Sequence, residues 1–226
     1  MATDRGHAAK RIKLDFSEEV TVLVGPEEKR YVVHKAIISN HSKFFKAACA
    51  ANFKEGREKI IRLPEVDIEA FRSYAQWAYS GEVVVASDEE ISADAFGVVR
   101  GTRLAKLYVL AEFLGDTFLR NTVVDQLRTL HTSCETGPGT AEIIIAFEDV
   151  PAESTLRRLV LGWYLDKACV DVVEWMDENC EELPKAFFVD LAIKQFQASL
   201  NGIKASKWDQ GKCTYHEHND EVPACV

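Results

Sequence analysis

The sequence predicts an α+β fold, a small β-sheet flanked by helices, followed by an all-α C-terminal extension. Three observations carry this expectation. Val20, Val22 and Val24 alternate with Thr21 and Leu23, and a second β-branched run returns at Arg30 to Val33, as a half-buried hairpin requires. A third strand pattern follows at Lys59 to Leu63. From Asp67 onward apolar residues recur at spacings of three and four, the period of helices packed on one face.

The elements follow in order. Residues 1–14 read as a disordered basic leader, small and polar apart from Lys10, Arg11 and Lys13. The turn residues Gly25-Pro26-Glu27-Glu28 close the hairpin with a loop of about four residues. Tyr31-Val32-Val33 then passes through His34-Lys35 into two short helical runs. Ser42 is placed to cap the second, with Phe45, Ala48 and Cys49 on its inner face. Asn52-Phe53-Lys54-Glu55-Gly56 leads out toward the third strand. Pro64 and Asp67 announce a helix with Ile68, Phe71, Ala75 and Ala78 inward, stopped by Gly81. Residues 82–100 are the least regular, and Ser87-Asp88-Glu89-Glu90 reads as an acidic loop or a short extra helix. Leu104, Leu107, Ala111 and Leu114 form a strong stripe ended by Gly115. Asp116 caps the next helix, striped by Leu119, Val123, Leu127 and Leu130, and so short a break makes the pair a helical hairpin.

Glu135-Thr136-Gly137-Pro138-Gly139-Thr140 is the clearest punctuation in the chain and the expected boundary. Beyond it lie a short helix at Ala141 to Glu148 and a Ser154-capped helix with Leu156, Leu159, Val160, Trp163 and Tyr164 inward. Helices at Asp171 to Asn179 and Lys185 to Leu200 follow, the last with Phe188, Leu191, Ala192 and Phe196 on one side. The expected units are the leader 1–14, the sheet-containing domain 15–134, a helical region 141–205 and a Cys/His-containing tail 206–226.

Composition narrows the function. A formal net charge of -9 argues against direct nucleic-acid binding, which calls for a basic face. No apolar run approaches bilayer length and no signal-peptide core follows the N-terminus, so the expectation is a soluble protein of the nucleus or cytoplasm. The six cysteines, at 49, 134, 169, 180, 213 and 225, are scattered and read as reduced thiols.

Val20 to Gly25, the Val33-His34-Lys35 step, Ser42-Lys43-Phe44-Phe45, Phe53-Lys54-Glu55, Ile61-Arg62-Leu63-Pro64, Phe71 and Tyr79-Ser80-Gly81-Glu82 occur in an order and spacing that resemble the BTB/POZ domain. Leu104 to Glu112 is similar to the helix that follows the sheet in that family, and the resemblance covers roughly residues 15 to 131. The helical tail with Leu156-Arg157-Arg158-Leu159 resembles fungal single-BTB proteins. One departure is Glu19, where many members have Asp before the first strand's Val; a longer carboxylate can still pair locally. The resemblance implies a non-enzymatic interaction module that self-associates as a homodimer or joins a cullin scaffold to substrates for ubiquitination. Adaptors of this kind carry a hydrophobic residue, any residue, then Glu, and Phe53 and Glu55 fit. An exposed Phe can anchor in an apolar groove while the carboxylate sets register; on the other reading Phe53 packs on its own domain and Glu55 is solvated. The alternative function is a nuclear BTB regulatory protein that recruits transcriptional partners. Ala8 to Asp15 resembles the nuclear-import signal of the Myc transcription factor, with Lys10, Arg11 and Lys13 entering an importin groove; a solvated basic tail is the competing reading.

His34 and Cys49 are a conceivable nucleophilic pair, but no oxyanion loop or orienting acid accompanies them, and His34 reads as a hydrogen-bonded structural residue. The tail holds the only concentration of metal-type ligands in the sequence, Cys213, His216, His218 and Cys225. Two thiolates and two imidazoles suit a tetrahedral structural zinc, although the spacing is not that of a standard finger and a simple polar tail has the same composition. Glu217, Asp220 and Glu221 make the segment too acidic to read DNA.

Overall fold

A computed structural model of the chain describes residues 15–134, 136–167, 169–202, 208, 212–219 and 222–225. Lys10, Arg11 and Lys13 of the leader lie outside these residues, as do Glu135, Asp220 and Glu221.

The sheet is small and mixed. β1 (Glu19–Val24) pairs antiparallel with β2 (Lys29–His34), with Val20 opposite Val33 and Val22 opposite Tyr31. β3 (Ile60–Leu63) lies parallel on the other side of β1, with Val22 opposite Ile61, so the strand order is β2-β1-β3. Val20, Val22 and Val24 are buried while Thr21 and Leu23 are half-buried, the alternation a two-sided pleat imposes. Lys59 does not join β3: it holds a left-handed backbone (φ 55) that ends the preceding helical turn. At the start of the sheet the carboxylate that pairs locally is Glu18, 2.7 Å from Lys35 Nζ, rather than Glu19.

Two short helices, α1 (Lys35–His41) and α2 (Lys43–Ala48), follow the hairpin. Ser42 joins them and is buried. Its hydroxyl accepts from the Phe45 N–H at 3.1 Å, capping α2, and donates to the Leu114 carbonyl at 2.9 Å. One hydroxyl thus starts a helix and ties it to the end of another far along the chain. The exit segment toward the third strand contains a helical turn, α3 (Lys54–Glu58), to which the sequence assigns no element.

α4 (Ile68–Ser80) is capped by Asp67, which accepts from the Ala70 N–H at 2.9 Å, and stopped by Gly81 at φ 75. Its fully buried residues are Ala70, Phe71, Ser73, Tyr74 and Trp77; of the expected stripe Phe71 is among them, while Ile68, Ala75 and Ala78 are half-buried and pack against the edge of the core. The helix is rotated because burying two large aromatics stabilises more than burying two alanines, by roughly 25 cal/mol per Å2 of apolar surface. Tyr74 stacks on Phe45 with ring centroids 5.9 Å apart. α5 (Asp88–Ala93) resolves the acidic patch as a short helix with a full capping box between Ser87 and Glu90. α6 (Val98–Leu114) and α7 (Thr117–Ser133) form the expected hairpin around Gly115 and Asp116, and all eight stripe residues are buried.

Four further helices follow: α8 (Thr140–Glu148), α9 (Thr155–Asp166), α10 (Val170–Glu178) and α11 (Lys185–Leu200). The 135–140 punctuation turns the chain but does not divide the core, which runs from the sheet through α6 and α7 into α8 and α9. A Cβ at Gly101 of α6 would run into the Glu142 carboxylate of α8, so a larger residue there would have to displace that side chain. Glu142 is itself buried and lies 2.9 Å from His131 Nε2, whose other ring nitrogen donates to the Thr136 carbonyl. On α11 the expected inward face is only partly inward. Phe187 is buried, Phe188 and Leu191 are half-buried, and Ala192 and Phe196 face solvent, Phe196 being 70% exposed. α11 packs on α8 and α9 near its N-terminal end through Phe187, which touches Phe147 and Tyr164.

Candidate functional site

A groove of about 1060 Å3 opens between the end of α2, the α3 turn, β3 and the outer face of α6. β3, an edge strand of the sheet, lines it along its whole length. The floor is apolar and buried, made by Ile61, Leu63, Ala70 and Leu110. Phe44 and Phe113 stand on one wall with ring centroids 4.9 Å apart.

Phe53 and Glu55 both line this groove. Phe53 is 48% exposed, so it does not pack away into its own domain, and Glu55 is exposed in the same helical turn. Phe53 occupies the cap position of α3 with an extended backbone (φ -95, ψ 156), which turns its side chain out as the helix begins. Gly56 holds α3 in place: a Cβ there would lie 2.1 Å from the Ala50 carbonyl oxygen, so no other residue lets the turn sit so close to the end of α2.

The rim is acidic. Its cations are paired: Lys54 with Glu58 at 3.8 Å, Arg62 with Glu28 at 3.5 Å and Lys106 with Asp67 at 2.9 Å. Glu55, Glu65 and Asp149 have no ion pair among the described residues. Burial works against the Asp67 carboxylate, but the Ala70 N–H and Lys106 outweigh it and hold the group below its ordinary value. An apolar floor under unpaired carboxylates is complementary to a segment that presents an apolar anchor flanked by Lys or Arg.

The second site is the C-terminal segment. The apolar stripe of α7 faces the core, while Thr117, Asn121, Asp125, Arg128 and Thr132 form a polar stripe along the same helix. The tail runs antiparallel along that stripe. Trp208 Nε1 donates to Thr132 at 3.2 Å and its carbonyl accepts from Arg128 at 3.3 Å. His216 Nε2 lies 3.0 Å from Asp125 Oδ1, and Asn219 donates to Thr117 at 3.1 Å. Between them the Asn121 side-chain amide bonds both the N–H and the carbonyl of Glu217, each at 2.9 Å. The Glu217 carboxylate enters the junction of α6, α7 and α9, accepting from Tyr108 at 3.1 Å, Thr155 at 3.0 Å and Arg120 at 2.8 Å. Burial, then the charge of Glu217, push the Tyr108 hydroxyl above its ordinary value, which keeps it a donor. Trp208, Tyr215 and Val222 are buried, so this part of the tail belongs to the fold.

Cys213, His216, His218 and Cys225 come together here. A 3-10 turn, Lys212–Tyr215, folds the segment. Cys213 Sγ, a ring nitrogen of His218 and Cys225 Sγ all lie within 4.8 Å of one another. His218 Nε2 is 3.1 Å from Cys213 Sγ, and His216 Nδ1 is 3.1 Å from Cys225 Sγ. Desolvation and the neighbouring Cys213 thiol hold the Cys225 thiol above its ordinary value. Asp125 and Asn121 were not among the residues the sequence singled out, and Glu217 was read only as part of the tail's acidic character. The signal for the first two is the polar stripe on α7, whose Asn121 is buried and therefore needs a partner.

His34 and Cys49 are occupied structurally. Tyr79 OH accepts from the His34 N–H and also hydrogen-bonds His34 Nδ1, both at 2.9 Å. Cys49 is buried, and burial raises its thiol, the opposite of what a nucleophile needs.

Residues 13–114 match the family model of the BTB/POZ domain, a match that ends with the last residue of α6. The chain is similar to Kelch repeat and BTB domain-containing protein 4 of Mus musculus, 28% identical over 92 residues, covering 38% of this chain and 17% of that protein. It is also similar to Kelch-like protein 24 of Rattus norvegicus, 24% identical over 164 residues, an alignment too long to be confined to residues 13–114 that covers 66% of this chain and 25% of that protein. The chain thus spans a quarter or less of the length of these relatives. Both are mammalian proteins, and the fungal likeness of the helical tail stands on the sequence motif alone.

Proposed function

With residues 13–114 a BTB/POZ domain, we propose that this protein-interaction module serves as an adaptor for a cullin-type ubiquitin-ligase scaffold, docking it through the groove bounded by α2, α3, β3 and α6. The observation that carries the reading is Phe53, an aromatic side chain left half in solvent at the rim of an apolar groove, with Glu55 in the same turn. Phe53 enters a pocket on the partner, where an aromatic anchor contributes about 2–4 kcal/mol. Glu55 accepts a charge-assisted hydrogen bond and sets the register. The unpaired rim carboxylates favour a partner whose facing surface is basic.

The test is binding of a purified cullin N-terminal domain to the wild-type chain and to Phe53→Ala/Glu55→Ala protein. Both side chains are exposed, so the variant should keep the wild-type melting temperature while its Kd rises at least about 30-fold, the equivalent of 2 kcal/mol. An unchanged Kd would end the cullin assignment and leave the domain's identity untouched.

A homodimeric scaffold is the second reading, and a specific feature favours it. Val189, Ile193, Phe196 and Leu200 are all exposed on α11 at spacings of four, three and four, the seam along which one helix packs against a copy of itself. For the nuclear regulatory alternative the support is the basic leader; fusing residues 1–16 to a fluorescent reporter tests it, and an evenly spread reporter would remove that support. Among the described residues no helix is long and apolar enough to cross a membrane.

A further inference from the structure

We propose that Cys213, His216, His218 and Cys225 bind one zinc ion, and that the ion clasps the C-terminal segment onto α7. Two thiols and two imidazoles converge from a stretch that is short in sequence and folded by its own 3-10 turn. Zinc–sulfur bonds of about 2.3 Å and zinc–nitrogen bonds of about 2.0–2.1 Å at tetrahedral angles put neighbouring S and N ligands roughly 3.6 Å apart. The observed S···N separations of 3.1 Å need to open by only about half an ångström to admit the ion.

The ring of His216 is presented as a ligand by its neighbours. Asp125 Oδ1, on α7, accepts from Nε2–H at 3.0 Å, which assigns the proton to Nε2 and leaves the Nδ1 lone pair directed at Cys225. A carboxylate behind a histidine is the arrangement that orients imidazoles on zinc and raises their basicity. His216 swings toward the tight set formed by Cys213, His218 and Cys225 to complete the tetrahedron. Two soft sulfurs with two imidazoles select zinc over calcium or magnesium, which take oxygen ligands.

The clasp has a definite mechanical consequence. Glu217 sits between the two histidines and is anchored to Asn121, Arg120, Tyr108 and Thr155. The metal therefore closes the chain around a residue already held in the domain, and Asp125 extends the linkage to α7. Four ligands fill the coordination sphere, so the ion is structural and has no open position for a reacting water.

Full-length protein purified without chelator, in reducing buffer, should carry about one zinc per chain by elemental analysis. Cys213→Ser and Cys225→Ser proteins should lose it, whereas Cys180→Ser protein, altered at an exposed cysteine outside the cluster, should keep it. Cobalt titrated into metal-free wild-type protein should give the intense visible bands of a tetrahedral thiolate site. Asp125→Asn, which keeps every ligand, should weaken zinc in chelator competition by about 10–100-fold. Wild-type protein that is free of zinc and gives no tetrahedral cobalt spectrum overturns the proposal, as does a cobalt spectrum that persists in Cys213→Ser/Cys225→Ser protein.

Discussion

Replacing Glu217 with alanine probes how firmly the C-terminal segment is built into the domain. The carboxylate accepts from Arg120, Tyr108 and Thr155, and its side chain is 27% exposed beside an Arg120 that is 14% exposed. Losing one charged hydrogen bond costs about 1.5–3 kcal/mol, and stranding a buried hydroxyl adds about 1 kcal/mol. Two contacts limit the damage. Arg120 keeps Glu112 at 2.6 Å, and Thr155 keeps the donor of Arg158 at 3.0 Å. The net expectation is a loss of roughly 3 kcal/mol, with the main-chain bonds to Asn121 still in place. For a chain of this size each kcal/mol moves Tm by about 2–4 °C, so Glu217→Ala should melt about 6–12 °C below wild type. Glu217→Gln, which keeps an acceptor but no charge, should lie between. If the segment detaches before the domain melts, the loss shows instead as faster amide exchange in residues 213–219. Unchanged Tm together with unchanged exchange in Glu217→Ala protein would refute Glu217 as the anchor.

Two further outcomes follow from the same geometry. Ile193→Glu/Phe196→Glu protein should run as a monomer in light-scattering chromatography at concentrations where wild type is a dimer; a wild type that is monomeric throughout removes the α11 seam as a self-association surface. Arg103, then the Ser87 N–H, hold the Glu90 carboxyl down to about 2. The stabilisation linked to this depressed carboxyl is fully present above the unfolded value and is lost as pH falls through about 2. Carboxyl NMR should show that midpoint in wild type and a return toward the ordinary value of about 4.3 in Arg103→Ala, and an ordinary midpoint in wild type would contradict the capping geometry.

The elements whose causes are local were legible. Ser42, Asp67, Asp116 and Ser154 are caps because their side chains reach N–H groups three residues on, and each does so. The β1–β2 register follows from alternation and a four-residue turn. The rotation of α4 was not legible, because Ala75 and Tyr74 compete for the core and only the aromatic cluster around Phe45 decides between them. α11 was misread for the same reason: Phe187 has α8 and α9 to pack on, whereas Phe196 has solvent.

By itself the sequence determined the class of module, the strand and helix order, and which residues offer chemistry: Phe53 and Glu55 in one turn, four soft ligands in one tail. Such features depend on residue type and short spacing. Only the tertiary structure decided that Phe53 stands at the rim of an apolar groove beside β3 and α6. It alone brought Asp125 behind His216 and seated Glu217 among three helices, across sequence separations of 91 and as many as 109. Contacts of that range depend on how packed helices present their polar faces, and periodicity within one helix does not specify what will lie against it.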